Sequence, residues 1–450
     1  MNSPYQHLLE SLRSSRLRED ALELPSEIEL QSLFFAGHFG RDFIGADNES
    51  IRIIQFGEWN HGPGPDFLHG AIEVNGKLRK GPIELDIRPL DWEAHGHATN
   101  PAFDEVILHL TIEPASRTHF TRNSRHQQIL HAPIPRQRII DALPAPPAQA
   151  PVTLGRCSVP LADLPVSRIA DLLKQAALHR ATRKANHFRR IADSHGYAQA
   201  LWQTLATALG YHQNRLAMTL LAQRAPLSQL RNLAPLERSS LLFGLGGFLT
   251  ADLPDSAPPE SRLWLADLWS AWWKHRPHPD PRPIPWQLAG VRPTNHPQRR
   301  TAALASTLEH WPSLEKASRQ SLADFEARLT GLSDPFWNEH YTLTAPRTAR
   351  KLSLIGKQRA RDFLINTLHP LALQENPESH WPLFAKIAGG PPSDRVKRAA
   401  YRLFGNRPDQ ASFLRKAWQQ QALLQIYQDF CLVDHSDCQR CQFPEQLQTW

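Results

Sequence analysis

The sequence predicts an α+β protein: a small mixed sheet followed by a large, irregular α-helical domain. Three observations carry this. Short β-rich runs are confined to residues 51–112, a Pro/Ala-rich stretch follows them, and helical periodicity runs from about Pro165 to Phe430. At 450 residues the chain has room for two or three domains, since single cores stop growing well below that length.

The opening, from Ser3 to Leu24, is amphipathic and ends at Pro25. Ser26 then stands where it would cap a second, short helix through Glu27, Glu29 and Phe34. Strands are expected over Ile51–Phe56, Leu68–Val74, Pro82–Arg88 and Glu105–Ile112, with Asn75-Gly76 as a hairpin turn between the second and third. Pro133, Pro135, Pro144, Pro146, Pro147 and Pro151 can continue neither a helix nor a central strand. Residues 133–156 are therefore expected to link an N-terminal domain over 1–132 to a helical domain over 157–450. In the latter, Ile169, Leu172, Leu173 and Ala176 show the helical spacing, and Pro-rich loops interrupt it near Asp252–Pro259 and His275–Pro285. No repeat period is strong enough for a solenoid.

Composition excludes some classes. With 41% hydrophobic residues and no run near the ~18 apolar residues of a membrane span, a soluble protein with no membrane partner is expected. Met1 to Arg13 lack the pattern of a secretory signal, so a reducing, cytoplasmic setting is expected. Of 51 Lys/Arg and 44 Asp/Glu, 14 and 20 fall in residues 1–150, which leaves 37 and 24 behind. An acidic front beside a basic remainder suits divalent metal in one part and a polyanion in the other; Arg-rich genome composition would give the same bias.

Gly64-Pro65-Asp66-Phe67 leads into an expected strand, and the next holds Glu84, Asp86 and Arg88 at alternate positions, hence on one face. Carboxylates so placed can converge on a hard cation that activates water for phosphodiester hydrolysis. Downstream, Asp91-Trp92 and His95-Gly96-His97 offer imidazoles for proton transfer or ligation, and His109 lies on the last strand. Surface carboxylates on strands are ordinarily only solvated, and a degenerate binding site would look the same.

Cys157, Cys431, Cys438 and Cys441 are the whole cysteine complement. Four thiolates complete one tetrahedral site, and a reducing compartment disfavours structural disulfides. A 4Fe-4S cluster is the preferred cofactor, with zinc, or free thiols, as alternatives. The loop Arg292-Pro293-Thr294-Asn295-His296-Pro297-Gln298-Arg299-Arg300 could bind phosphate or be an ordinary helix start. Arg359, Arg361, Arg395, Lys397 and Arg398 could face a duplex or only solvent. Trp264, Trp269, Trp272, Trp273 and Trp286 fit a core better than a stacking platform.

Pro65-Asp66 followed by Glu84 resembles the PD-(D/E)xK nuclease superfamily, which implies a restriction-endonuclease-like domain using Mg²⁺ or Mn²⁺ held by Asp66 and Glu84. The superfamily's Lys position is Asp86 here, with Arg88 as the nearest same-face cation, and a helix Glu such as Glu27 or Glu29 often completes its metal site. Very-short-patch repair endonucleases likewise combine Pro-Asp-Phe with a histidine-rich segment. C-x6-C-x2-C resembles the start of the iron–sulfur loop of helix-hairpin-helix glycosylases. A lone upstream cysteine joined to a C-terminal trio is similar to the iron-staple nucleases. These resemblances imply a metal-dependent nuclease or nuclease-like hydrolase acting on nucleic acid, DNA first; a non-catalytic nucleic-acid-binding or scaffold protein is the other expectation. Gly64-Pro65-Asp66-Phe67, Gly81-x-Ile83-Glu84-Leu85, Asp91-Trp92-x2-His95-Gly96-His97, Val106-Ile107-Leu108-His109, Arg292-Pro293-x-Asn295 and Gln420-x2-Leu423-Leu424-Gln425-Ile426-Tyr427 together resemble a bacterial domain-of-unknown-function family of Bacteroidetes and Verrucomicrobia.

Overall fold

The computed structural model describes residues 27–60, 64–112, 120–142, 154–277, 283–288, 290–434 and 438–448. The expected Ser3–Leu24 helix, the Ser26 cap and most of the Pro-rich stretch lie outside them. The described chain forms two compact units: residues 1–165, 393–410 and 426–450 make the first, and residues 166–392 and 411–425 the second.

The first unit is built on a seven-stranded mixed sheet. Helix α1 (Glu27–Phe35) precedes β1 (Asp42–Ile44), β2 (Ser50–Gln55), β3 (Glu58–Trp59), β4 (Phe67–Val74) and β5 (Lys77–Asp86). Helix α2 (Asp91–Ala94) follows, then β6 (Leu108–Thr111) and β7 (His131–Pro133). The order is β1-β2-β4-β5-β6-β7, with β3 paired to β4 off this path. Up to β5 the pairs are antiparallel; β5–β6 and β6–β7 are parallel. Asn75 (φ 49°) and Gly76 (φ 80°) both take the left-handed conformation that a tight hairpin needs, which joins β4 to β5. Pro133 sits at the end of the last strand, where its missing N–H breaks no central ladder. Residues 133–156 are thus not all linker, because β7 ends in them and Arg136–Ala142 is helical.

Alternation along the strands sorts the sheet into two faces. Ile83, Leu85, Leu108, Leu110 and Ala132 join Phe67, Leu30, Phe34 and Phe39 in one apolar core. The registers Glu84↔His109, Asp86↔Thr111 and His109↔His131 put polar side chains on the other face, and all five are buried. A small cluster joins Trp92, Ala98, Phe103 and Val106, from the segment between β5 and β6, to Ile129, which precedes β7.

The four cysteines belong to the first unit, in its segments 1–165 and 426–450, whereas the sequence boundaries assign them to the helical region. The helix Ser158–Asp163, which starts next to Cys157, packs on the helices Asp394–Phe404 and Phe443–Gln448. The helical unit is thereby inserted between segments of the sheet unit.

The second unit is helical and opens with a 30-residue helix, Val166–His195. Its core includes Trp202, Trp311, Phe243 and Phe325. Trp272 is buried, Trp264, Trp269 and Trp286 pack against the core, and Trp273 is exposed beneath Arg276. Arg299 and Arg300 are buried and donate to main-chain carbonyls: Arg299 to Trp337, His340, Leu352 and Ser353, Arg300 to Leu354 and Thr294. They tie the 331–355 loop to a helix and are not presented for phosphate. Among the described residues, no helix is long and apolar enough to cross a membrane.

Candidate metal centre

Asp66 immediately precedes β4, and alternation with the inward Phe67 turns it to the polar face that carries Glu84. The Asp66 N–H donates to Glu84 Oε2 at 2.8 Å, and the Leu85 N–H donates to Asp66 Oδ2 at 3.0 Å. Each carboxylate is thus held by the other strand's main chain. Gln31 of α1 bonds Asp66 and also Glu27 Oε1, the latter at 3.1 Å, and accepts the Trp59 indole N–H at 3.1 Å. Glu27 is close enough to Asp66, Glu84 and Asp86 to disfavour their common ionisation. Burial first, then the neighbouring negative charges, push Asp66 up to about 8 and Glu84 well above the usual carboxylate range.

Asp86, fully buried, is the hub of the imidazoles. Its Oδ1 lies 3.1 Å from His95 Nδ1 and its Oδ2 3.1 Å from His109 Nε2. His109 in turn meets Thr121 Oγ1 at 3.2 Å, and Thr111 Oγ1 meets His131 Nε2 at 3.0 Å. His97 Nδ1 stands 3.6 Å from Glu84 Oε1 and 3.8 Å from Asp86 Oδ2, and has no hydrogen-bond partner among the described residues. Ligand atoms of Asp86, His95 and His97 all fall within 4.8 Å of one another.

The backbone after β5 explains how both imidazoles arrive. Asp91 accepts the Arg88 N–H at 2.9 Å and opens α2, and Gly96 (φ 76°) reverses the chain between His95 and His97. Trp92, fully buried, donates to Arg122 O and sets its ring against His97 and His109, while Phe103 stacks on His97 at 3.9 Å. Desolvation lowers His97 to about 4, so it is neutral near pH 7.

Arg88 does not join the group. β5 ends at Asp86, and the exposed Arg88 side chain pairs with Asp91 at 2.8 Å, against the expectation of a same-face cation. Glu29 is exposed, whereas Glu27 reaches the carboxylates. His109, already offered by the sequence, is joined on the polar face by His131, Thr111 and Thr121; the parallel β5–β6–β7 pairing brings these three in, and no spacing in the sequence reports that pairing.

The thiols gather elsewhere in the same unit, and none is in a disulfide. Arg402 Nη2 donates to Cys438 Sγ at 2.8 Å, and the Arg402 carbonyl lies 3.8 Å from Cys157 Sγ. Asp434 accepts the Cys438 N–H, and Arg156 gathers the carbonyls of Cys438, Gln439 and Cys441. Burial pushes Cys157 and Cys431 up to about 12. The charges of Cys438 and Cys441 add to this at Cys157, and those of the other three thiols at Cys431. Cys431 ends a π-helical turn, Tyr427–Cys431.

The family described as "Protein of unknown function (DUF2851)" matches residues 37–381. The chain belongs to that family. The DUF2851 match takes in the sheet, Asp66, Glu84, Asp86, His95, His97 and Cys157, and stops before the C-terminal cysteines. No curated protein and no solved structure matches the chain.

Proposed function

We propose that the protein is a divalent-metal-dependent phosphodiesterase of the nuclease type, acting on nucleic acid, DNA in the first instance. The observation that carries this reading is the convergence of Glu27, Asp66, Glu84 and Asp86 at one end of the sheet, in a group whose negative charges oppose one another's ionisation. Such a donor set fits a hard cation, because carboxylates that resist ionisation alone are neutralised by Mg²⁺ or Mn²⁺. Asp66 and Glu84 would hold the ion, each already oriented by a main-chain N–H. Bound there, the ion would lower the pKa of water and offset phosphodiester charge. His97, neutral near pH 7, and the half-exposed His95 stand beside the carboxylates, as residues for ligation or proton transfer. Arg88 has no part in this. The excess Lys and Arg behind residue 150 favour a polyanionic partner.

Cys157, Cys431, Cys438 and Cys441 would hold a 4Fe-4S cluster, with zinc as the alternative, and either would serve the fold. The gathered thiols and the Arg402 guanidinium among them suit a ligand set that must lose its protons together.

The second reading, a non-catalytic nucleic-acid-binding or scaffold protein, is favoured by one observation: Asp86 occupies the position where the nuclease resemblance implies Lys. Cleavage of labelled DNA and RNA by the full-length chain with Mg²⁺ or Mn²⁺ separates the two. Wild type should cleave, and Asp66→Asn should fall by more than about 100-fold with its circular dichroism unchanged. Equal rates would remove Asp66 from the mechanism, and binding without cleavage in wild type would favour the second reading.

A further inference from the structure

We propose that the centre takes two cations, the second one a transition-metal ion of the manganese or zinc class held by Asp86, His95 and His97, with Glu84 shared between the two. This deepens the hydrolase reading above and rests on its placement of the first ion at Asp66 and Glu84.

His97 carries the argument. It is 8% exposed, and its Nδ1 has no hydrogen-bond partner among the described residues, an arrangement that ordinarily costs free energy. That nitrogen faces two carboxylate oxygens, Glu84 Oε1 at 3.6 Å and Asp86 Oδ2 at 3.8 Å. These separations are too long for hydrogen bonds. They are close to what donors about 2.0–2.2 Å from one ion keep between themselves. His95 Nδ1, 3.1 Å from Asp86 Oδ1, completes the set.

The surroundings fit ligation. His109 Nε2 meets Asp86 Oδ2 and passes through Thr121, as outer partners of a ligating carboxylate do. Phe103 and Trp92 fix the His97 ring, and two imidazoles select a softer ion than Mg²⁺. Glu84 divides its oxygens, with Oε2 toward Asp66 and Oε1 toward His97, which is how one carboxylate serves two ions about 3.5–4 Å apart. The positive charge expected from Lys at position 86 is then supplied by an ion that Asp86 itself recruits.

Mn²⁺ titration of the full-length protein, read by pulsed electron paramagnetic resonance, tests this. Expected are two equivalents, spin coupling between them, and nitrogen-14 modulation from imidazole. His97→Gln should abolish most of the modulation and one equivalent, and so should His95→Ala, whose exposed side chain makes misfolding no explanation. Asp66→Asn should keep the modulation and lose the other equivalent. A single equivalent without nitrogen modulation, or modulation unchanged in both histidine variants, would overturn the second site. Intact modulation in a protein that cleaves nothing would instead sink the hydrolase reading and leave this site standing.

Discussion

Asp66 accepts the Leu85 N–H, yet titrates near 8, because burial, Glu27 and Asp86 outweigh that hydrogen bond. An aspartate in the unfolded chain titrates near ~3.9. Between those values the folded, metal-free protein keeps a proton that the unfolded chain has released. The stability from this group is therefore whole below about 4 and is lost as pH rises to about 8. Glu84 acts in the same direction, whereas His97, lowered from 6.5 to about 4, adds stability as pH rises across that lower window. Above about 6.5 His97 adds nothing further, and Asp66 and Glu84 pull one way while Lys184, held well below its usual range by burial, pulls the other. Between pH 6.5 and pH 8 in chelator, wild type should accordingly lose more stability, read as the urea midpoint, than Asp66→Asn does; parallel slopes would show that Asp66 is not buried as described. The pairing of Asp66 with Glu84 on one face was legible from strand alternation and the Asn75-Gly76 turn. Arg88 was misplaced because alternation was carried past Asp86, where the strand has already given way to the turn closed by Asp91.

At the scale of elements, one helix links the two chemical regions of the first unit. Asp394–Phe404 aligns Arg395, Arg398 and Arg402 along a side. Arg395 pairs with Glu58, Arg398 donates to Gly57 O at 3.1 Å, and Arg402 reaches Cys438 Sγ. Gly57 (φ 82°) admits no side chain, since a Cβ there would meet Leu68 O at 2.1 Å, so β3 is locked to β4 beside these arginines. Trp59 of the same strand holds Gln31, which holds Asp66. The thiol region thus supports the carboxylates through main-chain and arginine contacts. Cys157→Ser should release whatever metal the thiols hold and lower the unfolding midpoint, since structural metal binding can supply about 10 kcal/mol or more of folding energy. Anaerobic purification with a visible spectrum and thermal melts reads both effects; an unchanged spectrum and midpoint would leave Cys157 an ordinary core thiol. The cysteine spacing led to the expectation of a shared site. It could not announce the partners Arg156 and Arg402, which tertiary packing alone brings there.

At the scale of the molecule, the chain leaves the sheet unit near residue 165, builds most of a helical unit, and returns twice, at 393–410 and 426–450. The composition change at residues 133–156 marks a boundary in the sequence, but the division of the folded chain falls later, near residue 165. A return is not legible in sequence, because the returning helices have the same texture as those they leave. The basic excess is likewise partly structural: Arg299 and Arg300 are spent on carbonyls, and Arg361 pairs with Glu326. What gives the molecule its proposed chemistry is the acidic end of the sheet. Crystals of the full-length protein soaked in Mn²⁺ and recorded with anomalous scattering test that most directly. An anomalous peak coordinated by Asp66 and Glu84, absent in Asp66→Asn, is expected; a peak-free carboxylate group with Mn²⁺ bound only elsewhere would contradict the proposed site.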